Sequence, residues 1–183
     1  SAGTPMHYTR IGGWLQTSAA FLIEQCRPLP FLNFMHHQLA ACGMDDKDIA
    51  PIASAFDQYV LRGAAPLTGF DGLRERIHAR LKDERITPSR AQECSAFLDH
   101  LQSLTVPFYE LVETGKHDFS VWLDAHIEIA EALAAQPEKS GAARLWSGED
   151  GEEIAAFLAE LKRQVYNLPK VSGESYMAIL VQL

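Results

Sequence analysis

The sequence predicts an all-α protein of about eight helices, and three observations carry that expectation. Apolar residues recur at three- and four-residue spacing along almost the whole chain. Ala and Leu dominate the apolar set, and both favour helices. No alternating β-branched run, of the kind a half-buried strand needs, is present. A length of 183 residues suits one domain, 1–183, large enough to bury most of its apolar surface without disulfides or a metal. Apolar residues at 47% and charged residues at 22% are ordinary for a globular protein and far from a disordered one.

The elements follow in order. A first helix is expected over 10–26, with Ile11, Trp14, Leu15, Ser18, Leu22 and Cys26 on one face and Gly12-Gly13 weakening its start. The turn Arg27-Pro28-Leu29-Pro30 leads to an apolar helix over 31–42, with Gly43 just past its end. Asp45 or Asp46 caps a third, with Ile49, Ile52, Phe56 and Tyr59/Val60 inward and Gly63 ending it. Residues 63–72 read as a loop, after which Asp71 opens a basic helix with the stripe Leu73, Ile77, Leu81. Thr87-Pro88 is the clearest start signal, a capping hydroxyl and a proline at the first helical position. The stripe Ala91, Cys94, Leu98, Leu101, Leu104 continues past Pro107 to Val112, and Pro107 is expected to kink or split it. Asp118 or Ser120 begins the next helix, with Trp122, Ile129 and Leu133 inward, ending before Pro137. Residues 136–151 form a polar connector carrying Leu145-Trp146. Ile154, Phe157/Leu158, Leu161 and Val165 mark a helix stopped by Leu168-Pro169, and a last helix starts near Ser172. The organisation is thus a lead-in segment and first helix (1–26), a helical body (27–135), the connector (136–151) and C-terminal helices (152–183).

The chain lacks an initiator Met and a basic-then-apolar leader, and it stops inside an apolar stripe, so it reads as a piece of a longer protein. Its longest uncharged stretch, 28–44, holds two Pro and a His pair and is too short to span a bilayer. Three scattered Cys (Cys26, Cys42, Cys94) do not make a disulfide framework and favour a reducing, cytoplasmic setting.

Chemical motifs are sparse. There is no phosphate loop ending Gly-Lys-Ser/Thr and no GxGxxG following a strand. Glu75-Arg76-Ile77-His78 matches the Glu-x-x-His of helical di-iron sites, but it has no second copy and Arg74, Arg76 and Arg80 crowd it with positive charge. Cys26, His36, His37 and Cys42 are zinc-type side chains at a spacing no zinc knuckle uses. Ser54, Ser95, Ser103 and Ser120 lie in helical stretches without a Gly-x-Ser-x-Gly elbow, and Glu152-Glu153 suits the positive end of a helix dipole. No catalytic, metal or cofactor residue is therefore assigned.

One charge feature departs from the global balance of −8, which itself disfavours a DNA-coating protein. Residues 74–90 carry Arg74, Arg76, Arg80, Lys82, Arg85 and Arg90 against Glu75, Asp83 and Glu84. That local excess could meet a nucleic-acid backbone or an acidic partner. The plainer reading is a solvated helix face with internal pairs such as Arg80 with Glu84.

Several short strings, in order, resemble one family. Ser1-Ala2-Gly3-Thr4-Pro5, then Thr9-Arg10-Ile11-Gly12 and an apolar helix, is similar to Ser-Ala-Gly-x-Pro-Leu, Thr-Pro-Pro-Gly and a Leu-rich helix. Pro-Leu-Pro-Phe-Leu (28–32) and Met35-His36-His37-Gln38-Leu39-Ala40 resemble a segment ending Leu-Lys-His-Pro-Leu-Ala, with His37, Leu39 and Ala40 matching and His36 and Gln38 departing. The best match is Arg144-Leu145-Trp146-Ser147-Gly148-Glu149-Asp150-Gly151-Glu152, close to Arg-Leu-Trp-Ala-Gly-Glu-x-Gly-Glu, and Tyr176 stands where a Tyr-Pro-Ala-Leu string begins. The family is the alphaproteobacterial-type AddB subunit of the AddAB helicase–nuclease of double-strand break repair. The middle of the chain, 45–135, matches mainly as helices of the right kind.

The resemblance implies an internal piece like the helical 2B insertion of a superfamily 1 helicase-like region, without the nuclease carboxylates or the motor core. It implies a non-catalytic scaffold, with an AddA-like subunit and double-stranded DNA as partners through the parent protein, and no membrane, small-molecule substrate or cofactor. The rival reading is a stand-alone helical bundle whose pocket, lined by His36, His37 and the Trp residues (Trp14, Trp122, Trp146), takes a small ligand or partner peptide.

Overall fold

Thr9 is the N-cap of the first helix: its hydroxyl accepts from the Gly12 amide (2.9 Å) and opens α1 (Arg10–Ile23). The computed structural model describes residues 9–63, 68–165 and 168–182. The order continues with α2 (Pro28–Met35), α3 (Asp46–Ala55), a π turn (Phe56–Val60), α4 (Gly69–Lys82) and α5 (Pro88–Thr114). After these come α6 (Phe119–Ala134), α7 (Gly141–Leu145), α8 (Glu149–Gln164) and α9 (Gly173–Gln182). The fold is all-α, and among the described residues there is no strand, only isolated bridges at His117–Val171 and Gln136–Lys139.

Several expected boundaries move, each for a local reason. α1 stops at Ile23 rather than Cys26, because Gln25 and Cys26 adopt positive φ (51° and 54°). The amides of Cys26 and Gln25 then return to the carbonyls of Phe21 and Leu22, a Schellman ending built without glycine. α2 spans Pro28–Met35, not 31–42: Pro28 serves as a first-turn residue, and the chain leaves the helix at His36. Residues 41–43 instead lie across the end of α6, where the amides of Ala41 and Cys42 bond Leu133 and that of Gly43 bonds Ala135. α3 gives way at Ala55 to the π turn, closed by the Leu61 amide on Phe56. α4 begins at Gly69, two residues before Asp71, and part of the expected 63–72 loop (64–67) lies outside the described residues. Pro107 does not split α5, which runs 27 residues as one element. The connector contains the short helix α7, capped by Ser140, and α8 starts at Glu149 rather than 152.

α1 is the central helix, in contact with α2, α5, α6, α8 and α9, while α4 and α5 form an antiparallel hairpin. The buried apolar residues form one cluster, organised by two aromatic groups. In the first, Phe34 stacks on Phe21 (4.2 Å between centroids), Phe31 meets Phe21 and Phe56, and Phe56 meets Phe97. This group ties α1 and α2 to the π turn and α5. In the second, Trp122 stacks on Tyr176 (5.8 Å) and takes Phe108 edge-on, joining α6, α9 and α5. Edge-on and offset contacts of this kind suit the ring quadrupole. Among the described residues no helix is long and apolar enough to cross a membrane.

Candidate functional site

The six basic residues singled out from 74–90 occupy the α4–α5 hairpin, and the structure gives four of them internal partners. Arg74 reaches Asp71 (2.9 Å), Asp99 (2.7 Å) and the amide oxygen of Gln102. Arg80 donates through Nε to the Tyr59 carbonyl (2.9 Å) and through Nη2 to the Arg62 carbonyl, and Arg76 Nη1 approaches the same Arg62 oxygen at 3.5 Å. These guanidinium groups therefore tie down the end of the π turn, and the Arg80–Glu84 pair expected along the helix is not what forms. Glu84 has left the helix at positive φ (56°), in a second Schellman ending closed by Arg85 on Arg80. Arg90 pairs with Glu93, while Lys82 and Arg85 are exposed.

The charge excess counted along the sequence is offset by carboxylates from outside the window. Asp71, Asp99 and Glu93, all outside the 74–90 window, meet Arg74 and Arg90 and match the three-charge surplus. Two adjoining grooves of about 720 and 620 Å³ run along the hairpin and share Leu81 and Pro88. Lys82 and Arg74 line the first, Arg85 and Arg90 the second, with Glu75, Asp99 and Glu84 among them. The surface is charge-mixed rather than basic, and long-range attraction of a polyanion needs a net field.

The zinc-type and di-iron-type residues are dispersed. Glu75 and His78 face the first groove, and among the described residues no three His, Cys, Asp or Glu groups converge where an ion could be held. His37 lies against Trp14 (5.1 Å between rings) and accepts the Leu39 amide on Nδ1 (3.2 Å). Burial, helped by nearby Arg10, holds its pKa below the ordinary value. All three cysteines are buried thiols, pushed up by burial to about 12 at Cys26 and Cys42 and about 11 at Cys94. They are therefore poor nucleophiles. Trp14 and Trp122 are fully buried, so they cannot line the ligand pocket of the rival reading. A further groove of about 920 Å³, between α1, α2 and α9, is lined by other residues, including Gln16, Leu29 and Val181. The Nε2 of Gln16 is buried there, with no hydrogen-bond partner among the described residues.

The residues of the resembling strings meet in space. Opening residues 1–5 lie outside the described residues. From the best-matching string, the Arg144 guanidinium donates to the carbonyls of Ala134, Leu39 (3.3 Å) and Gln38 (3.4 Å), the last two belonging to the 35–40 string. Trp146 donates to Glu131, and Leu145 is fully buried. A methyl group on Gly141 would stand 1.8 Å from the Glu131 carbonyl oxygen, and one on Gly151 would stand 2.5 Å from that of Leu145. Both positions need glycine, because backbone approaches backbone with no room for a Cβ. The His37 ring lies 3.7 Å from where a Cβ on Gly13 would be, an ordinary contact that does not by itself call for glycine.

A buried polar group escaped sequence reasoning. Ser18, His126 and Tyr176, from α1, α6 and α9, are each 1% exposed or less. Ser18 Oγ donates to the Leu15 carbonyl (3.3 Å), which His126 also bonds, and lies 3.2 Å from His126 Nε2; with the proton on Nε2, Nδ1 accepts from the Tyr176 hydroxyl (2.7 Å). That network assigns the Nε2–H tautomer. Burial pushes the imidazole pKa down to about 4. A serine–histidine pair of this kind suggests nucleophilic catalysis on paper, but no substrate reaches an enclosed hydroxyl, and the group instead binds three helices together. Its signal was present: His126 falls on the inward stripe of Trp122, Ile129 and Leu133. Compared with known proteins, the chain matches no family model, no curated protein and no solved structure.

Proposed function

We propose that this chain is a non-catalytic helical module of an AddB-like repair subunit, acting as a scaffold that braces an AddA-like partner subunit or positions duplex DNA. The supporting observation is that three of the strings behind the resemblance act on one another in the fold. The Arg144 side chain holds the Leu39 and Gln38 carbonyls across 105 and 106 residues of sequence, and His37 packs on Trp14 beside Gly13. Residues placed for mutual packing suit a scaffold, where shape rather than reactive side chains is the working property. The matched charges of the α4–α5 hairpin favour bracing a protein over holding a polyanion.

The experiment is retention on the immobilised 183-residue chain. The AddA-like subunit and a blunt duplex are offered separately at 50 and 200 mM salt. Retention of the subunit at both salts is the expected result, whereas salt-sensitive retention of the duplex would transfer the role to DNA positioning. Retention of neither overturns the reading. So does metal-dependent DNA cleavage by the purified chain that is absent from a matched blank.

A further inference from the structure

We propose that Tyr176, His126 and Ser18 form an acid-opened latch, in which one proton on His126 releases α9 from the α1–α6 pair while the other helices stay folded. The geometry carries this. α9 is a ten-residue helix that packs on α1 and α6 and buries Tyr176 and Leu180. The Tyr176 hydroxyl is its polar tie to the body, and it serves as a donor to Nδ1. A protonated imidazole donates from both nitrogens. The bond to Ser18 survives that change, but the bond to Tyr176 must reverse, leaving the phenolic hydrogen without an acceptor in a closed apolar site.

Among the described residues no charge is at hand to compensate the imidazolium. α1 presents Ser18 and the Leu15 carbonyl, whose hydrogen bond favours the imidazolium less than burial disfavours it; α5 presents Phe108, and α9 presents Tyr176, among the described residues the one titratable group in contact. On α6, Asp124 is engaged with Lys162 of α8, and His117, just before α6, packs on Trp122 and bonds Thr114. Neither interacts with His126. α1 and α6 keep a tie of their own, from Trp14 Nε1 to the Ala130 carbonyl (3.0 Å), so α9 is the element that can leave.

The linkage has a fixed sign. Closed, the imidazole is neutral, with its pKa depressed to about 4. Open, it returns to about 6.5, so the open state binds more protons between those values. Closure is therefore complete above about pH 6.5 and weakens about tenfold per pH unit as pH falls towards 4.

Amide hydrogen exchange on the 183-residue chain, measured from pH 7 to pH 5 and corrected for intrinsic rates, tests this. The expected result is α9 protection at least tenfold below that of α5 and α6 at every pH, falling about tenfold per unit below pH 6. Protection of α9 equal to that of α6 would mean that only global unfolding exposes it. A lower but pH-independent value would mean that α9 opens without the proton. Either overturns the latch. His126→Gln keeps a donor and an acceptor and should abolish the slope, whereas His117→Gln should leave it intact; a slope lost in the second variant assigns the proton elsewhere and overturns the proposal. If His126→Gln does not fold, Tyr176→Phe decides, because it should lower α9 protection several-fold at pH 7 while α6 stays unchanged, and no drop refutes the tie.

Discussion

Arginine does two different jobs in this molecule, and the contrast separates residues that hold the fold from residues that only decorate it. Arg144 is half-buried and spends its guanidinium on backbone carbonyls at Ala134, Leu39 and Gln38. Those carbonyls belong to segments without regular partners: the last turn of α6 and the irregular stretch after α2. On the α4–α5 hairpin, Arg74 and Arg90 meet carboxylates that are 46% exposed or more. An exposed carboxylate has water as an alternative partner, whereas the carbonyls of the buried residues Ala134 and Leu39 have little access to it. The same side chain therefore stabilises strongly in one region and weakly in the other. A count of charge along the sequence points to the region where it matters less.

The largest expected effect tests the connector. Gly141→Ala places a methyl 1.8 Å from the Glu131 carbonyl oxygen, so α7 must shift away from α6. We expect a loss of about 3 kcal/mol or more, read as a lowered urea midpoint. Gly151→Ala should follow it closely, with its methyl 2.5 Å from the Leu145 carbonyl oxygen. If Gly141→Ala unfolds with the parental midpoint, α7 is not clamped on α6 and the comparison fails at its strong end.

Next comes the arginine itself. Arg144→Met keeps much of the aliphatic bulk but strands the carbonyls of Ala134 and Leu39, both on fully buried or nearly buried residues. About 2 kcal/mol should be lost. Arg74→Met removes contacts to Asp71, Asp99 and Gln102, yet it should cost only about 0.5 kcal/mol, and that cost should shrink further in 1 M salt. Equal losses at the two sites, measured side by side, would erase the distinction between them.

This contrast also explains what could be read from sequence. Thr87-Pro88 located the start of α5, because capping and the proline preference act within one turn. The stripes of α6 and α8 were legible for the same reason, since periodicity is local. The end of α2 was not. Phe31 to Met35 runs on into Leu39, Ala40 and Ala41 without a breaker, and the helix stops where it does because 41–43 bond the end of α6, some ninety residues away in sequence. α7 was missed because five residues are too few to show a period. The six cations fall on α4, the turn after it and the start of α5, but the carboxylates that meet Arg74 and Arg90 (Asp71, Asp99 and Glu93) lie outside the 74–90 window. His126 was passed over although it sits on an inward stripe, because its partners Ser18 and Tyr176 come from the two ends of the chain.

The smallest effect is expected where the remaining surface charge lies. Arg76 and Arg80 are unsuited to a test of DNA contact, since both lean on the Arg62 carbonyl and reversing them would loosen the π turn. Lys82 and Arg85 are exposed and free of that role, so Lys82→Glu with Arg85→Glu isolates the surface charge. Stability should change by no more than about 0.5 kcal/mol. Each phosphate contact contributes about 0.9 to the slope of log affinity against log salt, so two genuine contacts would lower that slope by nearly 2 on reversal. For duplex DNA offered to the 183-residue chain, the mixed charge of the hairpin leads us to expect an unchanged slope. A slope reduced by nearly 2 would show that exposed arginine and lysine here do what the matched pairs beside them cannot, and would return DNA positioning to this face.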